Sequence, residues 1–308
     1  MIEVQRLTKQ FKDTLAVDDL TFSVTPGLVT GFLGPNGAGK STTMRVIVGL
    51  DRPTSGEALV DGKSYRTLDA PLRSVGAMLD AGQVHPRRTA SAHLLSLAAT
   101  IGAGQGRVRE VLELVGLPDQ ARRRVGTFSL GMRQRLGIAA ALLGDPSTII
   151  LDEPMNGLDP DGIIWVRSLL RHLAREGRTV LVSSHLMGEM AQTADHLIVV
   201  GRGRLVADVA THDLLQGPSS ALRVRTPDPL RLTDAVTGAG GTTDAGDEGA
   251  LLIHGLTAGD LARLALAHRI EIHELVEQDR SLEEAFLELT NHTTDFRAQT
   301  SPERTVLS

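Results

Sequence analysis

Strand-length apolar runs alternate with turns over the first thirty-three residues, and then the period changes. Residues 2–8, 20–25 and 28–33 carry β-branched and apolar side chains, with the turn Thr25-Pro26-Gly27 before the third run. That run leads into "GPNGAGKSTTMRVIVGL", where the apolar spacing becomes helical. Residues 57–61 and 73–79 predict two more strands, and 90–100 and 107–115 predict helices, the second amphipathic with a stop at Gly116. A third helix is predicted over 132–143. The apolar run at 147–152 has the length of a strand and the composition of one buried on both faces. Asp159 followed by Pro160 reads as a cap and first residue of a helix ending near Gly177. Two further strand patterns occupy 178–185 and 195–206.

This alternation predicts an α/β unit over 1–216, a mainly parallel sheet covered on both faces. A linker is expected at 217–220 and a smaller α/β unit at 221–290. Within it, 221–226 reads as strand, 229–238 as helix, 237–250 as loop, 251–255 as strand, 257–269 as helix, 270–276 as strand and 281–290 as helix. Thr257 with Asp260, and Ser281 with Glu284, have the spacing of capping boxes. Residues 291–308 are polar and predict a disordered tail.

Composition narrows the picture. The 308 residues are 41% apolar and 22% charged with a net charge of −5, which argues against a dedicated nucleic-acid binder. Arg87-Arg88 and Arg122–Arg124 are local basic runs. They read as solvated faces, with a membrane-headgroup or partner contact as the alternative. With no cysteine there are no disulfides, thiol nucleophiles or cysteine zinc sites. No secretory signal pattern and no apolar run of about 18 residues is present, so a membrane role would need another chain to span the bilayer.

The chemistry concentrates in a few motifs. Gly34-Pro35-Asn36-Gly37-Ala38-Gly39-Lys40-Ser41 matches G-x-x-x-x-G-K-[ST] between a predicted strand and helix, with Thr42 next. Such a loop turns backbone N–H groups toward phosphate oxygens; Lys40 reaches the β- and γ-phosphates and Ser41 places a hydroxyl on Mg²⁺. "IILDEP" ends an apolar strand in Asp152, suited to Mg²⁺, and Glu153, suited to taking a proton from an attacking water. Asp159 lies in "MNGLDP", and His185 ends the strand of "LVSSHL", where it can donate to a γ-phosphate. In "FSLGMRQRLG", Ser129 and Gly131 stand before a helix. Taken alone they fit either an N-cap or an anion site.

The order and spacing of these motifs resemble the ATP-binding cassette (ABC) ATPases over roughly residues 1–215. The resemblance implies the P-loop cassette fold with an N-terminal antiparallel β subdomain and a helical subdomain at about 88–145, ATP and Mg²⁺ as ligands, and hydrolysis through Glu153 and His185. It implies a head-to-tail homodimer in which Ser129, Gly131 and Met132 grip ATP held by the other protomer. Phe11 would stack on adenine, with Val17 lining the same pocket. A separate permease would receive the motion, placing the chain in the cytoplasm against the inner face of the membrane. The sequence departs from the family at Leu130 and Met132, where the common signature has Gly and Gln. At the Q-loop the register puts Asp80, a further candidate Mg²⁺ ligand, with Gln83 three residues later as the alternative. These departures, and "SLEEAFLELT", are similar to drug, bacitracin and lantibiotic exporter ATPases, so export is expected. A soluble ABC protein acting on DNA or ribosomes, or an importer ATPase, are the alternatives.

Overall fold

The N-terminal strands pair antiparallel into a curved layer that backs the phosphate-loop helix. In the computed structural model, which describes residues 1–80, 82, 84–215, 221–278, 282, 283 and 286, β1 (Ile2–Phe11) pairs with β2 (Thr14–Val24). Next come β3 (Val29–Leu33), α1 (Lys40–Ile47) and β4 (Ser55–Val60). The three-stranded sheet has the order β2-β1-β4. Ile2, Val4, Leu7, Leu20 and Phe22 bury one face of it in a cluster that also holds Met44 and Ile47 of α1. The sequence pattern undersized the first two strands because their alternation is interrupted by register shifts near Leu7.

The second layer is the central sheet. After α2 (Pro71–Ser74) come β5 (Val75–Met78), α3 (Ala90–Ala98), α4 (Gln105–Leu114), α5 (Leu130–Leu142) and β6 (Thr148–Leu151). Then follow α6 (Pro160–Arg175), β7 (Thr179–Ser184), α7 (Met187–Thr193), β8 (His196–Gly201), β9 (Arg204–Ala210) and α8 (Thr211–Leu215). The strand order is β5-β6-β7-β3-β8-β9, with only the β8–β9 hairpin antiparallel. Ile149, Ile150, Leu151, Val180, Leu181 and Val182 are all at most 1% exposed, as expected of strands covered on both faces. The strand expected over 73–79 begins only at Val75: Pro71 presets a helical φ, and residues 71–74 form one turn of helix. The carboxyl ends of β3, β6 and β7 meet at one edge of the sheet, where an open α/β sheet binds its ligand.

The C-terminal unit runs β10 (Ala221–Arg225), α9 (Pro229–Gly238), β11 (Thr242–Ala245), β12 (Leu251–His254), α10 (Ala258–His268) and β13 (Glu274–Gln278). Its antiparallel sheet has the order β11-β12-β10-β13, the split β-α-β arrangement of ferredoxin-like folds. Leu222, Val224, Leu232, Val236, Ile253 and Leu261 form its core. The loop expected over 237–250 contains β11, an edge strand. "TTDA" offers no apolar alternation because its side chains bury little; it is held by backbone pairing to β12. The capping box at Thr257 and Asp260 is formed. The strand expected over 270–276 is shifted to Glu274–Gln278. The linker at 217–220 and the tail at 291–308 lie outside the described residues, as does the helix expected over 281–290 apart from Leu282, Glu283 and Phe286, which are helical. Leu282 is buried in the apolar cluster of α3 to α6 and Phe286 packs against it, so the chain returns to the larger unit after β13.

Candidate active site

The loop from Gly34 to Gly39 is shaped by what a side chain would strike. A Cβ on Gly34 would lie 2.4 Å from the Val200 carbonyl oxygen, and one on Gly39 would lie 2.5 Å from that of Ala16. Gly39 also has φ +98°, in the left-handed region where glycine carries no steric penalty. It caps α1, whose first turn has no acidic residue, so the positive end of the helix is left for an external anion. Lys40 is only 7% exposed. Its ammonium donates to the carbonyls of Gly34 (2.5 Å) and Pro35 (3.2 Å). Burial pulls its pKa below the ordinary lysine value, against the opposing pull of Glu153 and Asp152.

Facing Lys40 is the end of β6. Ser183, on the neighbouring strand β7 and fully buried, makes two bonds there. Its hydroxyl oxygen accepts from the Glu153 backbone N–H at 2.9 Å, and its O–H donates to the Asp152 carboxylate. The fit requires Glu153 to adopt φ +52°, an uncommon conformation for a residue with a side chain. The Glu153 carboxylate then meets His185: Oε2 lies 2.8 Å from Nδ1 and accepts from the His185 backbone N–H at 3.3 Å. A cleft of about 490 Å³ is lined by Lys40, Ser41, Thr42, Asp152 and Glu153, with Asn36, Gly37, Ala38 and Gly39 on its loop side. Thus the Gly34–Ser41 loop and the Asp-Glu pair come together in one chain, and His185 reaches them through Glu153.

Ser41 and Asp152 also line an adjoining groove of about 850 Å³, together with Asp80. Asp80 is exposed, and its Oδ1 accepts from the Gly82 N–H at 2.7 Å. Gln83 lies outside the described residues. Among the described residues no three His, Cys, Asp or Glu side chains converge as a metal cage. A hydroxyl and one or two carboxylates beside a phosphate cradle nevertheless match how Mg²⁺ is held, through few protein oxygens plus phosphate and water.

The adenine side differs from expectation. Val17 does not line the cleft: it is fully buried, with Cγ2 3.3 Å from where a Cβ on Gly39 would be, so it supports the loop from beneath. Phe11 is 44% exposed at the β1–β2 turn, opposite Thr14, with the Lys9 ammonium 4.5 Å from its ring centre. The cleft wall itself is Thr14, Leu15 and Ala16. Leu15 was missed because it stands between the strands predicted at 2–8 and 20–25, where no element was expected.

Ser129, Gly131 and Met132 do not line the Lys40 cleft of their own chain. Ser129 caps α5, its Oγ accepting from the Met132 N–H at 3.2 Å. Leu130 lies over Gly157, where a Cβ would come within 2.1 Å of Leu130 Cδ2. The departure at Leu130 is therefore matched by a missing side chain across from it. Asp159 caps α6 by accepting from the Gly162 N–H at 3.0 Å. Ser183 was also missed; its only sequence signal is being the first of two adjacent serines that end the strand, two residues before His185.

Comparison with known proteins agrees with this geometry. Residues 17–156 match the model of the ABC transporter family, and residues 220–283 match a domain of unknown function, DUF8746. The chain is 36% identical over 302 residues to the uncharacterized ABC transporter ATP-binding protein YhcH of Bacillus subtilis (strain 168), covering 95% of this chain and 97% of that protein. It is 42% identical over 212 residues to the bacitracin transport ATP-binding protein BcrA of Bacillus licheniformis (68% and 69% covered). It is 33% identical over 298 residues to the Nod factor export ATP-binding protein I of Burkholderia lata (94% and 96% covered). Among solved structures, the dimeric cassette MJ0796, a bacterial ABC transporter cassette, is similar with a TM-score of 0.64 and 26% identity, covering 68% of this chain and 99% of that one.

Proposed function

We propose, for a chain that belongs to the ABC transporter ATP-binding proteins and is an ATP hydrolase of that family, that it powers export of a drug, antibiotic or peptide-like compound through a separate permease. The observation that carries the hydrolytic part is Glu153, held by Ser183 and His185, opposite Lys40 across one cleft. ATP lies with its phosphates on the 34–42 loop and Lys40 on the β- and γ-phosphates. The Glu153 carboxylate takes a proton from the attacking water as its oxygen bonds to the γ-phosphorus. The bond from that phosphorus to the ADP oxygen breaks, and ADP and phosphate leave. His185 orients Glu153 and donates to the γ-phosphate. Ser41 and Asp152, with Asp80 alongside, would hold Mg²⁺, which supplies charge neutralisation on the phosphate oxygens.

Ser129 and Gly131 complete the site of a second copy in a head-to-tail dimer. Support comes from their position away from the cleft of their own chain and from the dimeric cassette similar to this one. No helix of the described residues is long and apolar enough to cross a membrane. The relatives named as ATP-binding proteins of transporters support a permease in another chain, docked on the unit of α3, α4 and α5 at the inner membrane face. The relative named for Nod factor export supports the transport direction, and the one named for bacitracin transport supports an antibiotic as the class of cargo.

The test is mild-detergent co-purification from native membranes, with ATPase assays with and without Mg²⁺. The reading expects a stoichiometric membrane partner with apolar spans of about 20 residues each and Mg²⁺-dependent turnover. Recovery of only ribosomal or DNA-repair proteins would overturn the transport part and leave the ATPase standing.

A further inference from the structure

The two arginine runs, 35 residues apart in sequence, form one surface. Segments 86–90 and 121–126 lie antiparallel, with a bridge between Thr89 and Arg124. The Val125 N–H donates to the Arg88 carbonyl at 2.9 Å, Ala90 N–H to that of Arg123 at 3.2 Å, and Gly126 N–H to that of Pro86 at 2.9 Å. This short ribbon gathers Arg87, Arg88, Arg122, Arg123 and Arg124, all exposed. Among the described residues none of the five has a carboxylate within ion-pair distance; only Arg88 makes a long side-chain contact, 3.4 Å to Ser96 Oγ. Several other arginines are paired with carboxylates: Arg45 with Asp51, Arg107 with Glu110, Arg167 with Glu189, Arg178 with Asp145 and Arg204 with Asp18. The patch also runs against the overall charge of −5.

We infer that this ribbon is an electrostatic contact for the anionic phospholipid headgroups of the membrane leaflet on which the chain docks. Guanidiniums match phosphate oxygens bidentately, and five exposed charges, none of them lining the adjoining groove, suit many dispersed phosphates better than one specific acidic ligand. No aromatic side chain is interleaved with them, as single-stranded nucleic acid would need. The ribbon borders the groove lined by Asp80, Val84, Pro86, Val125 and Leu130, on the helical unit assigned above to permease docking, so its orientation toward the bilayer rests on that reading. Basic residues near an anionic surface act additively, and the attraction fades beyond a Debye length of about 10 Å at 0.1 M salt.

The test is sedimentation of the full-length chain with vesicles, either phosphatidylcholine alone or with about one-third phosphatidylglycerol. It needs neither the permease nor ATP turnover, so it can fail while the transporter reading stands. Wild-type chain should bind only the anionic vesicles, and binding should drop at least about tenfold on raising salt from about 0.05 to 0.5 M. R87Q/R88Q/R122Q/R123Q/R124Q should lose binding at low salt. The five-fold Lys variant should keep most of it, as should a control with Arg52, Arg109, Arg175, Arg202 and Arg269 changed to Gln. Unaltered ATPase activity and melting temperature identify folded variants. No binding by wild type to anionic vesicles, or equal losses in ribbon and control variants, would overturn the proposal. So would intact vesicle binding by the ribbon variant with permease association lost, which would assign the ribbon to an acidic protein surface.

Discussion

The phosphate loop and the signature segment, assigned above to one nucleotide shared by two copies, are built in opposite ways. The loop is enclosed: Gly34 and Gly39 press against backbone carbonyls, Lys40 is buried, and Asp152 and Glu153 are fixed by Ser183. The signature is outward: Ser129 and Leu130 are exposed, and the Ser129 hydroxyl is occupied by the N–H of Met132 in its own helix. The first half is organised to bind and polarise phosphates within one chain. The second half, in the proposed dimer, becomes a phosphate site only when another surface arrives. In the proposed head-to-tail dimer, one polypeptide then binds ATP alone and hydrolyses it only as a pair.

The strongest way to break this contrast is at Glu153. Glu153→Gln should keep ATP binding and lose about 10²–10⁴-fold in turnover, the range for a positioned base. Light scattering at saturating Mg-ATP should then show a trapped dimer; a persistent monomer would sink the sandwich arrangement. Ser129→Asp sharpens the other half. Aspartate caps helices as well as serine, so stability should hold within about 0.5 kcal/mol. A carboxylate facing the partner's γ-phosphate should cut turnover by about 100-fold and weaken dimerisation, with ATP affinity of the single chain unchanged. If ATP binding by the monomer falls equally, Ser129 acts in its own chain and the division of labour is wrong.

Ser183→Ala comes next. It leaves the Glu153 N–H without its partner in a part-buried site, a cost of about 1–3 kcal/mol, and frees the carboxylates to turn. Turnover should fall about tenfold and its pH profile should move, with Ser183→Thr restoring both; a stability loss with an unmoved profile would make Ser183 structural only. Gly39→Ala against Gly37→Ala measures the enclosure of the loop. Both have left-handed φ, +98° and +82°, costing about 1–2 kcal/mol for a side chain. Only Gly39 adds a collision, with the Ala16 carbonyl, so its thermal destabilisation and loss of nucleotide binding should exceed those at Gly37. Equal effects would mean that backbone conformation alone shapes the loop.

The enclosed half was the more legible in sequence, for a physical reason. Close backbone approach demands glycine, and buried parallel strands demand unbroken apolar runs, so Gly34–Ser41 and the run ending in Asp152 leave unmistakable patterns. Ser183 was hidden because a single buried hydroxyl on a strand end has no periodicity of its own. Val17 was misplaced because an apolar residue beneath a loop and one facing a base look alike in a string of letters. β11 was missed because an edge strand needs only backbone pairing to exist. The arginine runs were legible separately, but only the fold joins them into one ribbon.

Asp80 tests the seam between the enclosed half and the groove beyond it. Its carboxylate shares that groove with Ser41 and Asp152, so it can lie near a cation held there, yet it is exposed and already accepts the Gly82 N–H. A metal contact would therefore have to compete with water and with its own turn. Asp80→Asn preserves the turn, because an amide oxygen accepts the same N–H, and removes only the charge. The Mg²⁺ concentration for half-maximal activity should rise by about two- to fivefold, since an exposed carboxylate interacts weakly through water. Gln83→Ala should shift it less. If Gln83→Ala has the larger effect, the polar residue facing the cation is the glutamine, and Asp80 serves only the turn.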